Sequence, residues 1–142
     1  MRRRLVLPVF LATACLAVSA GCGDNSNPNI PTPTPSPGVT ETFPGTINTN
    51  GAMTFPFTIA TGGFVTATLT TIGPDSTTQI GMGIGIYNNG ICTVGTGLYL
   101  DKASQGSSIL ASVSAGGTLC LRVYDAGTIT GQTTFSIDVA HP

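Results

Sequence analysis

An all-β fold, an antiparallel sandwich of two sheets, is predicted for the C-terminal hundred or so residues of this chain. Three observations predict it. From about Glu41 to Pro142, apolar and polar residues alternate in runs of 5 to 9, the period of a half-buried strand. The runs are rich in Thr, Val, Ile and Phe, types that suit a pleated surface. Between them stand "TNG", "TGG", "GPDS", "NNG", "SAGG" and "DAG", turn formers at the spacing of a sandwich or barrel. No segment carries a helical apolar period over three turns. Seven to nine short strands in a domain of this size fit two sheets, with each strand burying one face between them.

Residues 1–21 stand apart from that fold. Arg2, Arg3 and Arg4 precede an apolar run from Leu5 to Ala20. The run is short for a membrane span, which needs about 20 apolar residues, and has the layout of a secretory signal. It closes as "AVSAGCGDN", with small residues directly before Cys22. This resembles the lipobox of bacterial lipoproteins. The resemblance implies that Cys22 becomes the new N-terminus and carries lipid on its sulfur. It also implies a bacterial envelope location, outside the cytoplasm, with the membrane as a partner through a palmitate-type anchor. Ser19 stands where that family prefers Leu, so an ordinary signal-peptidase cut after Ala20 is the alternative.

Cysteine arithmetic bears on the choice. Of the four cysteines, Cys15 leaves with the signal. With Cys22 lipidated, Cys92 and Cys120 remain as a pair; otherwise an exported protein is left with an odd thiol. An oxidising compartment lets a disulfide persist, and Cys92–Cys120 is the expected one. Two separate buried thiols are the alternative.

Residues 22–40 read as a linker. Five of the ten prolines lie between Pro28 and Pro37, alternating with Thr or Ser in "PTPTPSP". Such a tract builds no core and favours extended polyproline II. At about 3 Å per residue it spaces a domain roughly 30–50 Å from its anchor.

The domain itself, 41–142, is read strand by strand. "AMTFPFTIA" places Met53, Phe55, Phe57 and Ile59 on one face, and Pro56 within it implies an edge or a bulge. "GFVTATLTT" alternates Val65, Ala67 and Leu69 with threonines. "QIGMGIGIY" puts Ile80, Met82, Ile84 and Ile86 on the core face, with Gly81, Gly83 and Gly85 opposite. Three glycines in register imply close approach of another backbone or a smooth groove for a partner. "SSILASV" and "TLCLRVYD" follow, the latter with Leu119, Leu121 and Val123 inward. "TTFSIDVA" closes the series with Phe135, Ile137 and Val139 inward.

The stretches "FPGTINTNGAMTFPFTIATGGFVTATL" and "VSAGGTLCLRVYDAGTITGQTTFSIDVAHP" resemble bacterial pre-peptidase C-terminal domains. Gly116, Gly117, Leu119, Leu121, Arg122, Val123 and Tyr124 take that family's "G-t-y-x-l-r-V-y" positions. Phe135, Ile137 and Val139 take its last strand. The resemblance implies a jelly-roll-like sandwich that serves secreted enzymes as a non-catalytic module. The chain departs from it on the central strand, where Gly81, Gly83 and Gly85 replace the usual aspartates. Some relatives bind calcium through clustered acids. Here Asp75, Asp101 and Asp125 read as isolated turn residues making local backbone hydrogen bonds, whereas calcium asks for 6–8 converging oxygens. No metal or other cofactor is expected.

Catalytic groups are sparse. His141 is the one histidine and stands next to the chain end, where a frayed side chain is expected rather than a member of a nucleophilic triad. Cys92 and Cys120 have no histidine partner for a zinc site. Nucleic acid is excluded as a partner: beyond the signal, Lys102 and Arg122 stand against six acids, a net of −4, and no basic patch exists for a phosphate backbone. "GMGIG" lacks the spacing of a nucleotide fingerprint and no helix follows it. The chain has no tryptophan for sugar stacking, which weakens a carbohydrate-binding reading, although Tyr87, Tyr99 and Tyr124 could supply an aromatic platform. The candidate binding surface is therefore Gly81, Gly83 and Gly85 with Arg122 and Tyr124. An exposed Tyr–Arg pair suits a contact site; cross-strand packing is the plainer account of the tyrosine.

The function expected is that of a non-catalytic, lipid-anchored envelope module engaging an extracellular protein or polysaccharide. The alternatives are a secreted carbohydrate-binding or calcium-binding sandwich, a subunit that adds strands at a sheet edge, and a small hydrolase with an unrecognised site.

Overall fold

A computed structural model of the chain describes residues 38–142. The signal 1–21, Cys22 and the linker 22–40 up to residue 37 lie outside the described residues. The described residues form eight strands and no helix: β1 (Val39–Ile47), β2 (Ala52–Ile59), β3 (Gly63–Gly73), β4 (Ile80–Asn88), β5 (Ile91–Ala103), β6 (Ser108–Val113), β7 (Gly117–Tyr124) and β8 (Thr133–His141). They make two four-stranded sheets, ordered β1-β8-β3-β6 and β2-β7-β4-β5. All pairings are antiparallel.

The order has a simple origin. β4 with β5, β3 with β6, β2 with β7 and β1 with β8 are nested pairs, as in one long hairpin. Rolling that hairpin adds the pairings β3·β8 and β4·β7 and splits it into two facing sheets, a jelly roll. The hairpin begins at Asn89-Gly90, where φ is +50° and +81°. Both values suit the two-residue turn that matches strand twist.

The strands fall as they do because alternate side chains fill the space between the sheets. Val65, Ala67, Leu69, Ile137 and Val139 of the first sheet and Met82, Ile84, Leu121 and Val123 of the second are all at most 1 % exposed. Phe43, Phe55 and Phe135 link the sheets at one side, with ring centroids 5.4 Å (Phe43–Phe55) and 6.1 Å (Phe55–Phe135) apart. Pro44 and Pro56 lie in β1 and β2, the two edge strands at one side of the sandwich. There a missing N–H leaves no gap in an interior ladder.

Three expectations need correcting. Ile86 is 66 % exposed rather than in the core. Pairing of β4 with β7 ends at Ile86–Leu119, while β4 and β5 continue alone to Asn88–Ile91, so Ile86 sits on a hairpin tip. Asp101 belongs to β5, not to a turn. His141 is not frayed: it ends β8 opposite Val39 and is buried. Its Nε2 lies 2.9 Å from Glu41 Oε1, and its ring stands 5.5 Å from that of Phe57. Pairing with β1 gives this residue a sheet neighbour that nearness to the chain end does not suggest.

Candidate functional site

The three glycines of β4 mark where the site is built, but they do not form its surface. All three are buried. A Cβ on Gly81 would run into the ring of Tyr124. One on Gly83 would meet Val94 Cγ1 at 2.8 Å and Tyr99 Cβ at 3.2 Å. One on Gly85 would meet the backbone of Thr93 and Val94, with the Thr93 carbonyl carbon at 2.6 Å and Val94 Cα at 2.8 Å. Of the two readings that three glycines in register allowed, the close approach of other chain is the one that holds. Gly81 is covered by the Tyr124 side chain of β7, and the element over Gly83 and Gly85 belongs to the same domain.

That element is β5. Its pairing with β4 jumps from Val94–Gly85 to Tyr99–Gly83. Residues 95–98 thus stand against the single Ile84 and form an arch, whose Leu98 carbonyl oxygen lies 3.2 Å from where a Cβ on Gly83 would sit. Gly97 takes a φ of +76° within the arch, a conformation that favours glycine. The Cys92–Cys120 disulfide pins the arch at its base, with Cα atoms 5.8 Å apart. Cys120 lies opposite Gly85 on β7, so the bridge reaches from β7 to β5 past the strand between them. Both cysteines are buried on this outer face, apart from the main core.

Between the arch and the outer face of β2 and β7 runs a groove of ≈ 670 Å³. Ala52, Arg122 and Tyr124 come to it from β2 and β7; Cys92, Val94, Gly95, Thr96 and Tyr99 come from β5. Asn50, Gly51 and Asp125 close it. Of the residues singled out as a binding surface, Arg122 and Tyr124 line the groove, whereas Gly81, Gly83 and Gly85 lie beneath its cover. Sequence reasoning named Tyr99 only as one of three tyrosines that could form an aromatic platform, and missed Thr96 and Asn50. The one available signal was "VGTGLY", where two glycines interrupt strand-like alternation.

The polar groups here are largely committed. The Tyr124 hydroxyl donates to Asp101 Oδ1 at 2.5 Å. Burial first, and this bond second, push its pKa up to about 12. Asp125 Oδ1 accepts the backbone N–H groups of Gly127, Thr128 and Ile129, and its Oδ2 accepts that of Asn50. These donors, the Asn50 and Ile129 amides above all, hold its carboxyl below the usual range. Asp75 is capped in the same way by the N–H and hydroxyl of Thr77, which lower its pKa. The guanidinium of Arg122 is exposed and has no ion-pair partner among the described residues. Among those residues, no three His, Cys, Asp or Glu side chains gather as metal ligands would. Neither a protein-family model nor a curated protein matches this chain.

Proposed function

We propose that this chain is a non-catalytic bacterial envelope lipoprotein, held by lipid on Cys22, whose sandwich engages an extracellular polymer or protein. The observation that carries the binding part is the groove under the β5 arch, where Arg122, without an ion-pair partner among the described residues, lies with Tyr99 and Tyr124. Ligand sites are concave, with a few polar groups to orient the ligand, and this groove has that character. The anchor rests on the resemblance of "AVSAGCGDN" to a lipobox. The likeness to pre-peptidase C-terminal domains supports a module without its own chemistry. So does the occupation of Asp75 and Asp125 by local donors, which leaves them poor general bases.

The test has two arms. Metabolic labelling with a palmitate analogue marks the wild type and fails with Cys22→Ala; equal labelling of both removes the anchor. Immobilised protein incubated with solubilised envelope material retains a polysaccharide or protein that an Arg122→Gln column does not. Reproducible hydrolysis by the pure protein, abolished by one acid substitution, overturns the non-catalytic reading.

A further inference from the structure

From the charge and shape of the groove we infer that it takes a uronic-acid-bearing glycan, with a sugar carboxylate seated on Arg122. This deepens the reading of the groove as a binding site and rests on it.

Charge comes first. The groove holds one cation and one anion, Arg122 and Asp125. Asp125 already accepts four backbone N–H groups, so its charge is answered within the domain. Asp101, just behind Tyr124, accepts the tyrosine hydroxyl. Among the described residues of the groove, Arg122 is the group left without a counter-charge. A guanidinium offers a planar fork of donors that matches a carboxylate in bidentate fashion. Arg122, Tyr99 and Tyr124 all line this one groove. Away from it the domain is acidic, with Lys102 the other basic residue beyond the signal. A dense polyanion such as a nucleic acid is repelled by such a surface, whereas one carboxylate per contact is accommodated.

Shape and lining favour a sugar over a peptide. Peptides dock by adding a strand to an open edge or by filling apolar pockets. The β5 edge beside the groove is interrupted by its own arch, and Asn50 and Thr96 set polar groups among the apolar Ala52 and Val94. Amide and hydroxyl groups instead match sugar hydroxyls, and Tyr99, 49 % exposed, offers a ring face.

The experiment applies the folded, oxidised protein to an array of galacturonate, mannuronate and glucuronate trimers, each beside its carboxyl-reduced form. A Gly-Glu-Gly peptide is included. At least one acidic trimer is expected to bind, with its reduced form at least about tenfold weaker, the order of a charged hydrogen bond. Arg122→Gln loses the same factor, and Arg122→Lys recovers part of it. Ala52→Phe, which fills the groove and leaves the guanidinium in place, also loses binding. Unchanged melting of each variant shows that the fold is kept. Equal binding of acidic and reduced trimers, or wild-type binding by Arg122→Gln, overturns the carboxylate assignment and leaves the module reading standing. Capture of the peptide alone replaces the glycan by an acidic protein. Binding of no probe overturns the inference, and the module reading falls with it only if the envelope column is also empty.

Discussion

The ring of Tyr124 lies over Gly81, so that a Cβ on residue 81 would meet three carbons of that ring. The bare glycine lets the tyrosine reach across β4 and donate to Asp101 on β5. The neutral phenol is the form this arrangement holds, with a pKa raised to about 12 from an ordinary value near 10. Its contribution to stability is therefore complete below about pH 10 and is lost as pH rises through about 12. Urea midpoints of wild type and Tyr124→Phe should differ at pH 9 and converge toward pH 12. A gap that does not change with pH rules this linkage out.

Gly85→Ala should destabilise by about 1–3 kcal/mol, the range for overpacking, because its Cβ would press on the Thr93–Val94 backbone. Gly117→Ala, on β7, meets nothing within 4 Å and should be neutral or slightly stabilising. Thermal melts of the two variants decide the matter. Equal melting temperatures would mean that the arch yields freely.

Removing both sulfurs as Cys92→Ala with Cys120→Ala should cost about 3–4 kcal/mol in the chain-entropy model, for a separation of 28 residues. It should also shrink the penalty of Gly85→Ala, since the unpinned arch could then lift away. A coupling of at least about 0.5 kcal/mol is expected for residues sharing one backbone shift. Additive effects in the double-mutant cycle would separate bridge from arch.

Asp125→Ala should loosen two turns at once, because the carboxylate ties Asn50 to residues 127–129. Its pKa is lowered by those bonds, so this support is present above the ordinary carboxyl range near 4 and lost as pH falls through the folded value. Amide exchange at Asn50, Gly127, Thr128 and Ile129 should quicken in the variant at neutral pH. In the wild type it should quicken, relative to the intrinsic rate, only in strong acid. Unchanged protection in Asp125→Ala would refute the tie.

The core strands were legible because their alternation is strict. β2, β7 and β8 put large apolar residues at every second position, β3 and β6 alternate likewise with Ala67 and Ala111 among theirs, and Pro56 announced an edge or a bulge. β1 and β5 were not singled out. β1 is an edge strand whose inward positions include Glu41 and Gly45, and β5 is broken by Gly95 and Gly97. The same break hides the groove, since an arch depends on where surplus residues go in space. Arg122 and Tyr124 could be read as a pair from the alternation of β7, but Tyr99 joins them only through the register of β5 on β4. His141 shows the opposite failure, where local position suggests fraying and a distant strand prevents it.

Nested pairing also fixes which way the domain faces. β1 begins at Val39, beside His141, and its nine residues carry the chain about 30 Å to the turn holding Asn50 and Gly51. The first strand thus starts at one pole, and Asn50 and Gly51, which line the groove, stand at the other. The loop that closes the groove therefore lies a full strand length from the point where the described residues begin.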